Sequence, residues 1–166
     1  QIVGLLFPSD FVGRPFGQPG SCHAEAATDV QICSFPVGPF ERMVREHPGI
    51  QHQLFRFALS QLDTAQEWML LLGRKTAREK VVSMLLMIAQ RLQNAGCATA
   101  GAGQRAEFAL PLSRSDIADY LGLTLETVSR QFRNLKAEDL IRIQGNRGLT
   151  VLDVSRLQAA ASHPAR

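Results

Sequence analysis

Four polar residues in the stretch LGLTLETVSRQFRNL have the types and spacing needed to read a base sequence. Drawn as a helix at about 100° per residue, the stretch places them in one narrow sector, opposite an apolar face. The polar set is Glu126, Ser129, Arg130 and Arg133, and the apolar set is Val128, Phe132 and Leu135. An exposed helix face is polar by default, so the pattern alone is equally typical of a solvated surface.

The chemistry of these side chains favours DNA recognition. Arg130 can donate two hydrogen bonds to the O6 and N7 of guanine, and Glu126 can accept one from the amino group of cytosine. Ser129 suits a base edge or a phosphate. Arg133 lies one turn deeper and is better placed for a phosphate. These residues predict a recognition helix that enters the major groove with its N-terminal half.

The elements around this helix predict a winged helix. Ser113 is a candidate N-cap for a helix over residues 114–121, Gly122 suits the left-handed residue that ends it, and Thr124 suits the N-cap of a second helix. Two helices joined by a short Gly-containing turn are typical of a helix-turn-helix. Residues 141–144 and 149–152 then alternate around a Gly/Asn turn, which predicts a β-hairpin. A winged helix can also contact protein, and that alternative stays open.

A long helix precedes this unit and carries two apolar stripes. It is predicted from Pro48 to about Gly73, and a helix with two such stripes needs two partners. One stripe consists of Leu54, Ala58, Gln61, Ala65, Trp68 and Leu72, and the other of Phe55, Leu59, Leu62 and Met69. The pattern fits burial in one core and a helix–helix dimer seam equally well.

The remaining segments divide the chain further. Residues 1–37 carry short apolar runs, IVGLLF and VQICSF, broken by Pro and Gly, which predicts strands and turns. A short helix is expected over residues 38–48 and another from Lys75 to Asn94. Residues 94–106, rich in Gly and Ala, predict a flexible connection. The expected fold class is α+β.

Composition excludes several classes of protein. The 166 residues are 45% hydrophobic with a net charge of +3, which is ordinary for a globular chain. Three cysteines without a CxxC pair argue against a disulfide framework or a complete zinc site, and free thiols fit the cytoplasm. No segment reaches the roughly 18 apolar residues of a membrane span, and no enzyme motif occurs. The chain opens without Met inside an apolar run, so we expect a fragment.

The motif RSDIADYLGLTLETVSRQF resembles the DNA-binding motif of the CRP/FNR superfamily of bacterial transcription regulators. The spacing of Glu126, Ser129 and Arg130 is similar to that of the FNR and FixK branches. The stretch MLLLGRKTAREKVVSMLLMIAQR resembles the end of the family's dimerisation helix and the helix after it. QIVGLLFPSDFVG and VQICSFP look like late strands of its sensory β-roll.

The resemblance implies four regions. They are the C-terminal part of a sensory β-roll (1–47), a dimerisation helix (48–73), a connecting helix and linker (74–106), and a winged helix-turn-helix DNA-binding domain (107–166). The dimer seam expected from the first apolar stripe consists of Leu54, Ala58, Ala65, Trp68 and Leu72. The expected function is a non-enzymatic, cytoplasmic, homodimeric regulator that contacts RNA polymerase and responds to low oxygen or redox state. Activation is expected but repression stays open, and an undetermined small-molecule effector is the alternative signal.

The same resemblance implies an inverted repeat similar to TTGAT-N4-ATCAA. Arg130 takes the guanine, Glu126 its cytosine or a neighbouring adenine, and Ser129 a flanking contact. Leu125 can touch a thymine methyl group, and Thr127 is a further possible contact.

The resemblance also bears on the signal. Relatives that bind cyclic nucleotides carry a Gly-Glu-Leu turn, where this chain has Gly13-Arg14-Pro15, so cyclic AMP is not expected. Cys33 lies where FNR-type oxygen sensors carry one ligand of a [4Fe–4S] cluster whose other ligands precede this segment. A cysteine on a strand is more often a small buried hydrophobe, and the FixK branch lacks the cluster, so both alternatives stay open.

Overall fold

The computed structural model describes residues 1–13, 15–17, 23–96, 99–101, 105–145 and 147–162. These residues form two compact units. One consists of Asp10–Met69, and the other of Gln1–Ser9 together with Leu70–Arg166. The long predicted helix is a single helix, α2, over Pro48–Arg74, and contributes residues to both units.

The unit Asp10–Met69 contains helix α1 (Val37–Glu46) and most of α2. Its apolar contacts are aromatic: the rings of Phe11 and Phe40 stack with their centroids 5.5 Å apart, and Phe57 meets Phe11 edge-on at 6.5 Å. The helix predicted over residues 38–48 is confirmed as α1.

The strands predicted before α1 are absent from the described residues. Described residues up to 36 form no strand, and many of their apolar side chains, such as Val3, Val30 and Ile32, are exposed. A strand exists only when a neighbouring strand takes its backbone hydrogen bonds, and none pairs with these segments in the described part of the chain. The local strand prediction is therefore wrong here. The assignment of residues 1–47 to a sensory domain stays a prediction.

The second unit holds helix α3 (Ala77–Asn94) and a small α+β domain. The domain consists of β1 (Thr99–Gly101), β2 (Arg105–Ala109), α4 (Arg114–Leu121), α5 (Leu125–Ala137), β3 (Ile141–Gln144), β4 (Gly148–Val151) and α6 (Val154–Ser162). The predicted helix-turn-helix and hairpin are thus confirmed, each within about two residues of the predicted ends.

Local side-chain chemistry explains where these helices begin. Thr76 and Glu79 form a reciprocal capping box at the start of α3, and Ser113 and Asp116 form another at the start of α4. Such boxes satisfy N–H groups that have no partner within the helix. Hydrogen bonds from Ser113 hold the pKa of the Asp116 carboxyl below its usual value.

The four strands form one antiparallel sheet in the order β1-β2-β4-β3. β1 and the start of β2 lie inside the segment predicted to be a flexible connection, so that prediction is wrong. Backbone pairing between β1 and β2, from Thr99↔Glu107 to Gly101↔Arg105, gives this segment a defined structure. Small side chains do not prevent a strand when a partner edge is available, and Ala106 and Phe108 on β2 face the core.

The core of this unit lies between the helices and one face of the sheet. Helix α6, which the sequence pattern did not predict, packs against α3 through the fully buried Leu157. Other side chains without measurable exposure are Val81, Val82, Met84, Leu85, Ile88, Ala106, Ile117, Leu121, Val128, Leu135, Ile141 and Val151. In the described part of the chain, no helix has the length and apolar character needed to cross a membrane.

Candidate nucleic-acid interface

Helix α5 is anchored by its caps and by one apolar face. The Thr124 hydroxyl accepts a hydrogen bond from the backbone N–H of Thr127 at 3.2 Å. Gly122 ends α4 with φ of 62°, a left-handed conformation that glycine adopts without strain, and so turns the chain into α5. The predicted inner face is confirmed, because Val128, Phe132 and Leu135 are all buried.

The opposite face of α5 is open to solvent. Glu126, Arg130 and Arg133 are exposed, and Ser129 is partly exposed. The structure thus brings the four predicted polar residues together on one accessible surface, as the helical drawing predicted. Their contacts with bases stay a prediction.

The two further candidate contact residues, Leu125 and Thr127, differ in exposure and in hydrogen bonding. Leu125 starts the helix with 53% of its surface exposed, so an apolar side chain stands free at the tip of the polar face. Thr127 is partly exposed, and its hydroxyl accepts a hydrogen bond from the Thr124 hydroxyl at 2.9 Å. Thr127 therefore already has a role in the cap.

A basic cleft lies beside the polar face, between α4, α5 and the hairpin. It has a volume of about 270 Å³ and is lined by Arg114, Ser129, Phe132, Arg133, Lys136 and Ile143. Three of these residues carry a positive charge, and no carboxylate is among the described residues that line it. A concave surface with cations and a hydroxyl is a suitable site for a phosphate group.

Arg114 is the residue of this cleft that sequence reasoning missed. Its guanidinium carbon lies 3.3 Å from the centre of the Phe132 ring, a cation–π contact that holds the planar group against α5. Burial lowers the pKa of Arg114, but an arginine remains protonated at neutral pH. Its position directly after the N-cap Ser113 was visible in the sequence, whereas its contact with the next helix was not.

The hairpin of β3 and β4 forms the wing beside this cleft. Leu149 and Val151 turn into the core, and Arg142 is exposed on the outer strand. A Cβ on Gly148 would lie 2.6 Å from the backbone oxygen of Gln144, so the hairpin requires glycine there. The hairpin tip is tied to the end of β2 by a 2.7 Å bond from the Leu110 N–H to the Arg147 carbonyl.

The apolar stripes of α2 differ in exposure. Phe55, Leu59, Leu62 and Met69 are between 45% and 65% exposed. In the stripe singled out from the sequence, Ala58 and Ala65 are exposed, whereas Leu54, Trp68 and Leu72 are partly covered. The helix therefore presents a strip of apolar surface that its own chain leaves open.

The residues tied to the signal form no ligand set in the described part of the chain. Cys33 is exposed and unbonded, contrary to a buried core role, and no three described His, Cys, Asp or Glu side chains converge as metal ligands. A [4Fe–4S] cluster takes four thiolates, so Cys33 does not form such a site among the described residues. Arg14, Cys22 and Cys97 lie outside the described residues, and the expectation against cyclic AMP stays a prediction.

Comparison with known proteins places these features in a family. Residues 79–160 match the model of the Crp-like helix-turn-helix domain. The chain is 49% identical to the transcriptional activator protein FnrL of Cereibacter sphaeroides, over 95% of this chain and 62% of that protein. It is 32% identical to the nitrogen fixation regulation protein FixK of Rhizobium meliloti, over 96% of this chain and 67% of that protein.

A solved structure gives the same result. The structure of FixK2 from Bradyrhizobium japonicum superposes with a TM-score of 0.64 at 36% sequence identity, over 77% of this chain and 60% of that one. The chain thus spans less than two thirds of the FnrL sequence and of the FixK2 structure.

Proposed function

The chain belongs to the CRP/FNR family of transcription regulators, in its FNR/FixK-type branch, and on that premise we propose that it is a sequence-specific regulator that binds DNA as a homodimer. The proposed site is an inverted repeat resembling TTGAT-N4-ATCAA. The observation that carries this proposal is the accessible polar face of α5 next to the basic cleft. The family is one of regulators and not of enzymes.

The polar face supplies the base contacts. Arg130 is exposed two turns or less from the start of α5, where a recognition helix meets base edges. Its guanidinium donates two bonds to a guanine, and Glu126, one turn earlier, accepts from the cytosine amino group or an adjacent base. Leu125 contacts a thymine methyl group, and Ser129 lies between the base-reading residues and the cleft.

The cleft supplies the backbone contact. Arg114, Arg133 and Lys136 surround a space next to the reading face, and one DNA phosphate placed there would meet three cations. Phosphate contacts carry no sequence information, but they fix the register of the helix in the groove. The division of labour is therefore reading by Glu126 and Arg130 and anchoring by the cleft.

The open strip on α2 supports a homodimer. Phe55, Leu59, Leu62 and Met69 share a seam spaced by four, three and seven residues, the heptad pattern of paired helices. Leu54, Ala58, Ala65, Trp68 and Leu72 flank that seam and complete the proposed interface. Two copies would present their recognition helices to half-sites roughly 34 Å apart, which matches an inverted repeat.

The wider role follows from the relatives. FnrL is named a transcriptional activator, and FixK a nitrogen fixation regulation protein. We therefore propose an activator that works in the cytoplasm, contacts RNA polymerase and responds to low oxygen or redox state. In one version of this proposal, the oxygen sensor is a [4Fe–4S] cluster with Cys33 as one of its ligands.

A second function competes with this one. Winged helices can bind protein, and the net charge of +3 is modest for a DNA-binding chain. The polar face of α5 would then be a docking surface, and no duplex would be preferred. A direct binding measurement separates the two functions.

The test compares two duplexes of equal length. Fluorescence anisotropy should show that the protein binds the inverted repeat at least about 10³-fold more tightly than a scrambled duplex at physiological salt. Glu126→Ala should lower the preference at one base pair by about 1–3 kcal/mol without weakening binding to the scrambled duplex. Equal affinity for both duplexes would contradict the proposed function and favour the protein-docking alternative.

A further inference from the structure

Arg78 and Glu138 form a two-point ion pair that joins the start of α3 to the end of α5. Arg78 Nη1 lies 2.6 Å from Glu138 Oε1, and Arg78 Nη2 lies 2.6 Å from Oε2. Two parallel hydrogen bonds fix the relative angle of the two groups as well as their distance. The side chains are 24% and 46% exposed, so water shields the pair only in part.

Neither charge suits the helix end at which it lies. Arg78 is in the first turn of α3, where the helix dipole favours an anion, and Glu138 is the C-cap of α5, where it favours a cation. Their neighbours Glu79 and Lys136 follow the rule. The stability of the separate helices therefore does not account for this pair, whereas a role between the helices does.

Both groups are charged at neutral pH. The hydrogen bonds to Glu138 raise the pKa of Arg78, and the same bonds lower the pKa of the Glu138 carboxyl. A third helix meets them at this corner, because Arg156 near the start of α6 donates a 3.5 Å hydrogen bond to the Glu138 carbonyl. The end of α5 is thus held by polar contacts to α3 and to α6.

The pair lies at the opposite end of α5 from the proposed base-reading residues, so a small change of angle at the pair displaces those residues. Helix α5 has 13 residues and is about 20 Å long. Glu138 follows its last residue, whereas Glu126 is its second. A tilt of about 5° at the C-terminal end moves the N-terminal end by about 1.7 Å over this length. A site that must hold its geometry to about 0.5 Å does not tolerate that shift.

We propose that Arg78 and Glu138 are a positioning pair that sets the angle at which α5 enters the major groove. The inference rests on the proposed DNA-binding function. The pair acts on sequence preference without touching a base. The apolar core keeps α5 in place, and the pair removes the remaining freedom to tilt.

The test uses two variants that change the net charge in opposite directions. Arg78→Ala removes a positive charge, and Glu138→Ala removes a negative one. If Arg78 and Glu138 acted only through the attraction or repulsion between their charges and DNA, the two variants would change the affinity of the protein for DNA in opposite directions. A positioning role predicts that both lower the ratio of specific to scrambled-duplex affinity, by about five- to tenfold each.

Rescue sharpens the result. The charge-swapped double variant Arg78→Glu/Glu138→Arg keeps the pair and places each charge at the helix end that favours it. It should restore most of the ratio. Arg78→Lys, which keeps the charge but not the two parallel bonds, should give an intermediate ratio.

The control pair is Glu41 and Arg45 on α1, a single 3.5 Å contact. Glu41→Ala and Arg45→Ala make the same two charge changes and should leave the ratio within about twofold of the parent. The inference is overturned if the Arg78 and Glu138 variants also stay within twofold, if the swap fails to restore the ratio, or if affinity for both duplexes falls in step with the melting temperature. Failure of the proposed function shows earlier, as a parent protein without duplex preference.

Discussion

Helices α2 and α5 expose opposite kinds of surface. Helix α5 buries Val128, Phe132 and Leu135 in its own domain and leaves charged side chains in water. Helix α2 leaves Phe55, Leu59, Leu62 and Met69 open and has only Leu71 fully buried among its described residues. Each helix is amphipathic, but among the described residues α5 buries its apolar face, whereas α2 leaves most of one apolar stripe exposed.

The difference agrees with the partners proposed for the two helices. An exposed polar face costs nothing in water, so its partner has to be recognised by hydrogen bonds and charge, as DNA is. An exposed apolar strip is costly in water and is typical of a surface that another protein covers. This difference fits the proposal that α5 binds DNA and that α2 pairs with a second copy of the chain.

The largest expected effect comes from putting a charge on the open strip of α2. Leu62→Asp should convert dimers into monomers, since an uncompensated carboxylate would be buried in the seam. Because two linked half-site contacts bind far more tightly than one, affinity for the inverted repeat should fall by roughly 10²-fold or more. Analytical ultracentrifugation and duplex binding measure the two effects.

Trp68→Asp tests the neighbouring stripe in the same way. Equal dissociation by both variants would extend the seam across Leu54, Trp68 and Leu72. If the Leu62→Asp protein stays dimeric, this stripe of α2 is not the dimer interface, and the proposed difference between α2 and α5 is wrong.

The next effect concerns two arginines on one face of α5. Arg130→Ala should cost about 1–3 kcal/mol of binding to the inverted repeat and abolish the preference for guanine at one position. Arg133→Ala is the matched control, because it removes the same charge but should weaken binding equally for every sequence. Anisotropy against a panel of single-base variants separates them. Identical profiles for the two variants would show that Arg130 reads no base.

A smaller effect concerns the basic cleft. Arg114→Ala should reduce the slope of log affinity against log salt by about 0.9, the change expected for one lost phosphate contact. Arg105→Ala is a suitable control, since Arg105 lies at the end of β2 that pairs with Gly101, away from the hairpin tip beside Gly148. Titrations at several salt concentrations provide the slopes. An unchanged slope in the Arg114 variant would mean that its only role is to support Phe132.

The smallest expected effect is on the folding stability of the domain that contains α5. Ser113→Ala removes the capping box of α4 and should lower the free energy of unfolding by about 1 kcal/mol at neutral pH. Since the box depresses the pKa of Asp116, the contribution of its carboxylate is present above the unfolded pKa of about 4 and is lost as the pH falls through the folded value. The difference between parent and variant in urea unfolding should therefore become smaller in acid, where only the bond from the Asp116 N–H to the Ser113 hydroxyl remains. A difference that is constant with pH would contradict this origin.

Elements specified by nearby residues could be predicted from the sequence. Capping residues Ser113 and Thr124, the left-handed Gly122 and the period of Val128, Phe132 and Leu135 all act within a few positions along the chain. Helix ends and the inner face of α5 were predicted correctly for that reason. The exposed position of Glu126 and Arg130 followed from the same period.

Features that depend on distant partners could not be predicted. β1 consists of Thr99, Ala100 and Gly101, of which Ala and Gly are uncommon in strands, and it exists because β2 offers hydrogen bonds. The apolar run of residues 30–35 has strand composition but no partner in the described chain. Arg114 joined the candidate site only when folding brought its side chain onto Phe132. The contact between Arg78 and Glu138 likewise exists only in the folded chain.

The pairing of β2 with β4 has a consequence for how the domain opens. Ala106 pairs with Val151 and Ala109 with Gly148, so the two strands enclose α4, α5 and β3 in the chain between them. Helix α5 thus lies in a segment of chain whose two ends, β2 and β4, are hydrogen-bonded to each other at the centre of the sheet. Its amides should exchange with solvent deuterium in the same step as those of β2 and β4, as one cooperative unit. We therefore expect the proposed recognition helix to open together with this sheet and not by local fraying.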